Sequence, residues 1–226
     1  MLFDFDGLIL DTEVPYFEAW REIYQSYGQE LSLEMYAGCV GSDFGGFDPK
    51  QYLQSLIDMT IDWVEWDRKR DARVLSIIHA TPPLPGVEAL LQEAGKEGVP
   101  CAVASSSPRS WVEPHLERFG LRKYFRLTRC VDDVVAPKPA PDLFLSAANG
   151  LEVSPQNALV LEDSLHGLNA AKAAGISCVA VPNGVTAHLE FEHAAAVLHD
   201  GLEGVELKHL REWHASNYET AHRLRS

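Results

Sequence analysis

Positive charge is what this 226-residue sequence most lacks. Its 19 Lys and Arg stand against 33 Asp and Glu, a formal net charge of -14. A nucleic-acid or anionic-membrane surface needs cations over a wide area to neutralise phosphate, so neither is expected as a partner. A small phosphate ester is not excluded, because one metal ion and a few local donors can hold it against an unfavourable global field. Cysteine is also sparse. Cys39, Cys101, Cys130 and Cys178 lie far apart with no C-x-x-C or Cys/His spacing, which argues against a zinc site and for reduced, mostly buried thiols. No apolar run approaches membrane-spanning length, and no charged segment followed by an apolar one precedes the first strand, so a cytoplasmic location is expected. With 46% hydrophobic and 23% charged residues, the chain has the composition of a globular protein large enough for a full core with a sizeable insertion.

What is present starts at the first residues. Leu2, Phe3 and Phe5 read as a buried strand, yet Asp4 and Asp6 interrupt it at a spacing that places both on one face. Burying two carboxylates unaided is costly. A divalent cation at the carboxyl end of the strand would relieve that cost, with hard oxygen ligands that suit magnesium, and Gly7 would let the backbone turn beside it. An ordinary strand followed by an acidic turn fits this stretch about as well.

Between residues 14 and 81 the pattern is helical throughout. Phe17, Trp20, Ile23, Tyr24 and Tyr27 recur at helical spacing before Gly28. Ser32 opens a short second helix. A loop punctuated by Gly38, Gly41, Gly45 and Gly46 carries Asp43, Phe44 and Phe47, a candidate specificity element. Asp48-Pro49 opens a third helix, and a longer one follows from about Asp62. Pro82 to Gly86 closes the segment like a stiff return linker. Thereafter helices alternate with short apolar runs at residues 101–104, 126–130, 158–161, 177–181 and, weakly, 197–198, the mark of a parallel sheet. Pro114 is expected to delay or kink the helix that ends at Phe119. A helix from Val205 to about His214 is expected to close the chain, with a loose tail. The expected architecture is therefore α/β, a discontinuous core of residues 1–13 and 82–226 interrupted by an all-helical domain of residues 14–81.

Several chemical groups fall at strand ends, which a parallel sheet gathers on one edge. Ser105 follows the second core strand and precedes a helix, where a hydroxyl and free amides suit a phosphate; a plain helix cap accounts for it more simply. Glu162 and Asp163 follow another strand and offer oxygen ligands, or merely an acidic helix start. Lys138, between Pro137 and Pro139, can place a point charge on a phosphoryl group, although most lysines are solvated.

Taken together and in order, Asp4-Phe5-Asp6-Gly7-Leu8-Ile9-Leu10-Asp11-Thr12-Glu13, Ser105, Lys138-Pro139-Ala140-Pro141-Asp142 and Leu161-Glu162-Asp163-Ser164 give a chain that resembles the haloacid dehalogenase-like hydrolases. More narrowly, it resembles the β-phosphoglucomutase and sugar-phosphatase branch, in which a helical cap is inserted after the first motif into a Rossmann-like core. The resemblance implies Asp4 as nucleophile, Asp6 as general acid and base, and Ser105, with Ser106, and Lys138 as phosphate-binding groups. It implies a Mg2+ site drawn from Asp4, Asp6, Glu162 and Asp163, with Glu162 acting directly or through water. Branches of the family that do not cleave phosphate esters lack the second aspartate, so Asp6 points to ester chemistry. A mutase of this branch would carry a histidine near position 16 and a cation in the glycine-rich loop. This sequence has Tyr16, and no Lys or Arg between Gly38 and Asp48. The expectation is a magnesium-dependent phosphatase of a small phosphorylated metabolite, acting as a monomer, with a phosphosugar mutase as the alternative. Tyr16, Trp20, Asp43, Phe44, Phe47 and Arg109 are the candidates for reading the substrate.

Overall fold

The computed structural model describes residues 1–37, 40 and 47–223, with side chains to residue 216. Asp43 and Phe44 lie outside the described residues. Six strands form one parallel sheet in the order β3-β2-β1-β4-β5-β6, with β1 at Leu2–Phe3, β2 at Ala102–Ala104, β3 at Leu127–Arg129, β4 at Leu159–Glu162, β5 at Ser177–Ala180 and β6 at Ala196–Val197. The pairing register sets Phe3 beside Val103 and Leu161, and Leu2 beside Ala102 and Val160. Strand side chains alternate between faces, so these two rows enter different cores. Phe3, Val103, Leu161 and Val179 pack with Leu90, Leu116, Leu207 and Leu210. Leu2, Ala102, Val160 and Cys178 pack with Phe144, Ala147, Leu168 and Ala171. Helices α5 (Val87–Lys96), α6 (Arg109–Arg118) and α9 (Leu207–Arg223) thus cover one face of the sheet, while α7 (Asp142–Gly150) and α8 (Leu165–Ala174) cover the other. This is a Rossmann-like α/β fold, and its strand order reverses direction beside β1, the position where such sheets bind ligands.

Helices α1 (Glu13–Ser26), α2 (Leu33–Ala37), α3 (Pro49–Leu56) and α4 (Trp63–Ala80) build a third apolar cluster around Trp20, Tyr24, Tyr36 and Leu53. Their starts follow local chemistry. Asp48 caps α3 by accepting from Lys50 and Gln51 N–H, and Asp62 caps α4 by accepting from Glu65 N–H. The linker returns to the core when Leu84 N–H donates to the Ile9 carbonyl at 2.9 Å.

Two expectations need correction. Pro114 does not delay the start of its helix, since α6 begins at Arg109, directly after Pro108, and runs past Pro114 to Arg118. Buried Val112, His115 and Leu116 hold that segment in place, a tertiary override of local preference. The closing helix is longer than expected and continues to Arg223; the tail contains no Gly or Pro to stop it. Among the described residues, no helix is long and apolar enough to cross a membrane.

Candidate active site

The carboxyl ends of β1 and β2 open on a cavity of about 370 Å3, lined by Asp4, Asp6, Thr12, Glu13, Tyr16, Ser105–Ser107, Pro108, Trp111 and Lys138, with the end of β4 reaching Lys138 from behind. That volume suits a small metabolite. The turn after β1 is tight, with Gly7 N–H donating to the Leu10 carbonyl at 2.8 Å. Gly7 has φ +79°, and a Cβ there would lie 2.1 Å from Asp163 Oδ2. Only glycine lets the backbone pass this close to the aspartate.

At the cavity floor the ammonium of Lys138, 1% exposed, donates to Asp4 Oδ1 and, at 2.8 Å, to Glu162 Oε2. The other Glu162 oxygen accepts from the Ser164 hydroxyl at 2.7 Å, and Ser164 in turn caps α8 by accepting from Gly167 N–H. Burial alone would lower the affinity of Lys138 for its proton, but the charges of Asp4 and Glu162 outweigh it and hold the lysine protonated. Asp4 is raised well above the usual carboxylate range, by burial first and then by the charge of Glu162. Asp163 is raised for the same reasons, with Asp4 and Glu13 adding to the repulsion. Burial and the charges of Asp6, Asp4, Asp11 and Glu162 push Glu13, at the first position of α1, up to about 8.

Asp4, Glu162 and Asp163 each offer an oxygen within 4.8 Å of the others, all three buried. One ammonium cannot balance three carboxylates, so the donor set fits a divalent cation bound through hard oxygens. The Asp163 carboxylate is oriented from the far side by Asn183, whose amide donates to Oδ2 at 2.6 Å and to the Gly7 carbonyl at 3.3 Å. The Asn183 oxygen accepts from Val185 N–H at 2.9 Å, which fixes which way the amide faces. Asp6 is not part of this oxygen cluster. Its carboxylate turns to neutral donors, accepting from the Ser107 hydroxyl at 2.6 Å and from the Trp111 indole N–H at 2.9 Å.

The two expected phosphate-binding serines stand at the same wall. Ser105 Oγ accepts from Ser107 N–H at 3.0 Å, while the buried Ser106 hydroxyl has no protein partner. The helix that follows begins only at Arg109, beyond Pro108. Of the residues expected to read the substrate, Tyr16 lines the cavity. Trp20 and Phe47 belong instead to the apolar cluster of the helical segment. The Arg109 guanidinium is engaged away from the cavity by Thr128 and Asp133, and its backbone N–H donates to the Asp132 carboxylate. Ser107, Trp111 and Asn183 were not singled out by sequence. A serine run marked the first only weakly, and nothing local marked the other two.

The haloacid dehalogenase-like hydrolase family model matches residues 1–181. YhcW of Bacillus subtilis is 42% identical, over 85% of this chain and 87% of that protein. The fructose-1-phosphate phosphatase YqaB of Escherichia coli is 34% identical, over 80% of this chain and 95% of its own. The crystal structure of CbbY from Rhodobacter sphaeroides in complex with phosphate superimposes with a TM-score of 0.71 at 29% identity, covering 92% of this chain and 96% of that one. With acidic and basic groups gathered at the strand ends where the motifs place them, and with a family model spanning most of the sequence, the chain belongs to the haloacid dehalogenase-like hydrolases.

Proposed function

We propose that this protein is a magnesium-dependent phosphatase that hydrolyses a small phosphorylated metabolite, a sugar monophosphate being the substrate class best supported. The observation that carries this reading is the buried Asp4–Lys138–Glu162 arrangement opening onto a cavity that Asp6 also lines. Asp4 attacks phosphorus and forms an aspartyl phosphate, dividing one hard displacement into two. Lys138 holds the attacking carboxylate in place and places positive charge beside the transferring group. Ser105 and Ser106 offer hydroxyls to its oxygens. Asp6 protonates the departing alkoxide and then takes a proton from the incoming water. Mg2+, held by Asp4 and Asp163 with Glu162 behind, would shield the nucleophile from the negative substrate and stabilise charge on the phosphoryl oxygens. Residues 14–81 act as a helical cap that covers the cavity and excludes bulk water.

Hydrolysis is favoured over transfer within the substrate because the cap offers no spare cation for a second phosphate. All six of its Lys and Arg are paired: Arg21 with Glu18, Lys50 with Asp67, Arg68 and Lys69 with Glu65, Arg70 with Asp67 and Asp71, and Arg73 with Glu22. The phosphatase name of YqaB points the same way. A panel of sugar phosphates, polyol phosphates and nucleotides, assayed for inorganic phosphate with and without magnesium, tests the reading. At least one sugar monophosphate should be turned over, and Asp4→Asn should abolish its release; undiminished release by that variant overturns the mechanism.

A further inference from the structure

The side-chain donors that hold Asp6 are neutral. Trp111 Nε1–H donates to Oδ1 at 2.9 Å, the Ser107 hydroxyl donates to Oδ2 at 2.6 Å, and the Ser105 hydroxyl stands 3.4 Å from that same oxygen. An indole N–H only donates, so Trp111 moves no proton itself. It can fix the rotation of the carboxylate it touches.

The indole is fixed in turn. Trp111 lies in the first turn of α6, its backbone N–H donating to the Pro108 carbonyl at 2.9 Å. Its ring meets the His115 imidazole edge-on, with centroids 4.6 Å apart and planes at 75°. His115 is 5% exposed and lies nearly parallel to Phe5, at 6.2 Å and 26°. Phe5 is the residue between Asp4 and Asp6. The backbone that carries Asp6 therefore supports the ring stack that aims the Trp111 N–H at the Asp6 carboxylate. An aromatic residue kept only for packing would not need its single polar atom turned toward the reacting groups.

We infer that Trp111 is the positioning residue of Asp6, setting the orientation in which Asp6 exchanges its proton with the ester oxygen, a role that rests on the phosphatase reading. In the first step the bond between phosphorus and the leaving oxygen breaks, that oxygen keeps the electron pair, and the Asp6 carboxyl proton transfers to it. Trp111 keeps its N–H throughout. Loss of the N–H should therefore matter most where the leaving oxygen is basic, and least where it departs without a proton.

Trp111→Phe tests this, because it keeps an aromatic ring beside His115 while removing the donor, and the parallel unfolding measurement reads the cost of the smaller ring. For the wild type, Trp111→Phe and Asp6→Asn, kcat/KM is measured with a hexose monophosphate, whose leaving group is an alkoxide, and with p-nitrophenyl phosphate, whose leaving group is a stable phenolate. Thermal unfolding of each variant is followed in parallel. Trp111→Phe is expected to lower the ratio of the two kcat/KM values by about tenfold, with an unfolding midpoint close to that of the wild type. An unchanged ratio, whether both substrates slow equally or neither does, overturns the role of Trp111. If Asp6→Asn lowers the ratio and Trp111→Phe does not, only the positioning role falls. If Asp6→Asn itself leaves the ratio untouched, the acid assignment falls, and the role of Trp111 with it.

Discussion

Carboxylates meet lysine and arginine in two regions of this protein, with different consequences. In the helical segment of residues 14–81 most pairs are exposed or half-exposed, as with Arg73 and Glu22 at 2.7 Å, whose side chains are 52% and 49% accessible; Arg70 is the more buried exception. At the sheet edge, Lys138 and its partners Asp4 and Glu162 are almost entirely buried. The bond lengths are alike; the solvent is not. Water screens the first kind, which typically contributes well under ~1 kcal/mol. In the second, each charge has lost its hydration and depends on its partners, so removing one leaves the others uncompensated. The helical region spends its cations on neutralising its own surface. The core spends one lysine on three carboxylates and leaves an excess of negative charge that a metal ion can answer.

Substituting the buried lysine should show this contrast at its largest. Lys138→Met is expected to cost about 3–5 kcal/mol of stability in urea unfolding and to lower phosphatase kcat by roughly 10²–10³-fold. A variant as stable as the wild type would remove the distinction between the two regions. Glu13 gives a smaller effect with a defined sign. Its folded pKa is raised from 4.5 to about 8, so between those values the folded state binds more protons than the unfolded chain. Stability of the metal-free protein should therefore be highest below about pH 4.5 as far as this group is concerned, fall as pH rises toward 8, and level off above. In chelator-treated protein, Glu13→Gln should flatten that decline in unfolding midpoint across the window; an identical slope in both proteins would place the charge strain elsewhere. At the small end, Arg73→Ala should shift stability by no more than about 0.5 kcal/mol, within the error of most unfolding curves. A loss rivalling that of Lys138→Met would mean that the exposed pairs of the helical segment are coupled rather than independent.

Much of the fold was readable in the sequence, because both periodicities were strong. Leu2 and Phe3, Val160 and Leu161 each send neighbouring side chains into opposite cores, which a continuous apolar run of a buried parallel strand implies. The Glu162-Asp163 pair was legible as a candidate because charges beside a buried strand need a reason, and Lys138 because Pro137 and Pro139 hold it on a rigid segment. Arg109 shows the limit of that logic: as a cation near the serine loop it looked available to substrate, yet Thr128 and Asp133 engage its guanidinium. Those partners are in direct contact with it but lie 19 and 24 residues on in sequence. Trp111 shows the opposite failure. On a helix with Val112 and Leu116 it reads as one more apolar residue, and only its indole nitrogen, 2.9 Å from Asp6, distinguishes it.

The sequence by itself determined the elements, their order and the acidic, basic and hydroxyl groups at their ends, since these depend on side-chain pattern and turn chemistry within a few residues. It could not determine which oxygen each donor would face. That was decided by tertiary structure, through contacts such as Trp111 to Asp6, Asn183 to Asp163 and Lys138 to both Asp4 and Glu162. A hydrogen bond is directional and acts over about 3 Å, whereas the residues it joins here are separated by up to 134 positions of chain. The two aspartates of the first turn acquire different surroundings for that reason: Asp4 is set against a lysine and further carboxylates, and Asp6 against a serine and an indole.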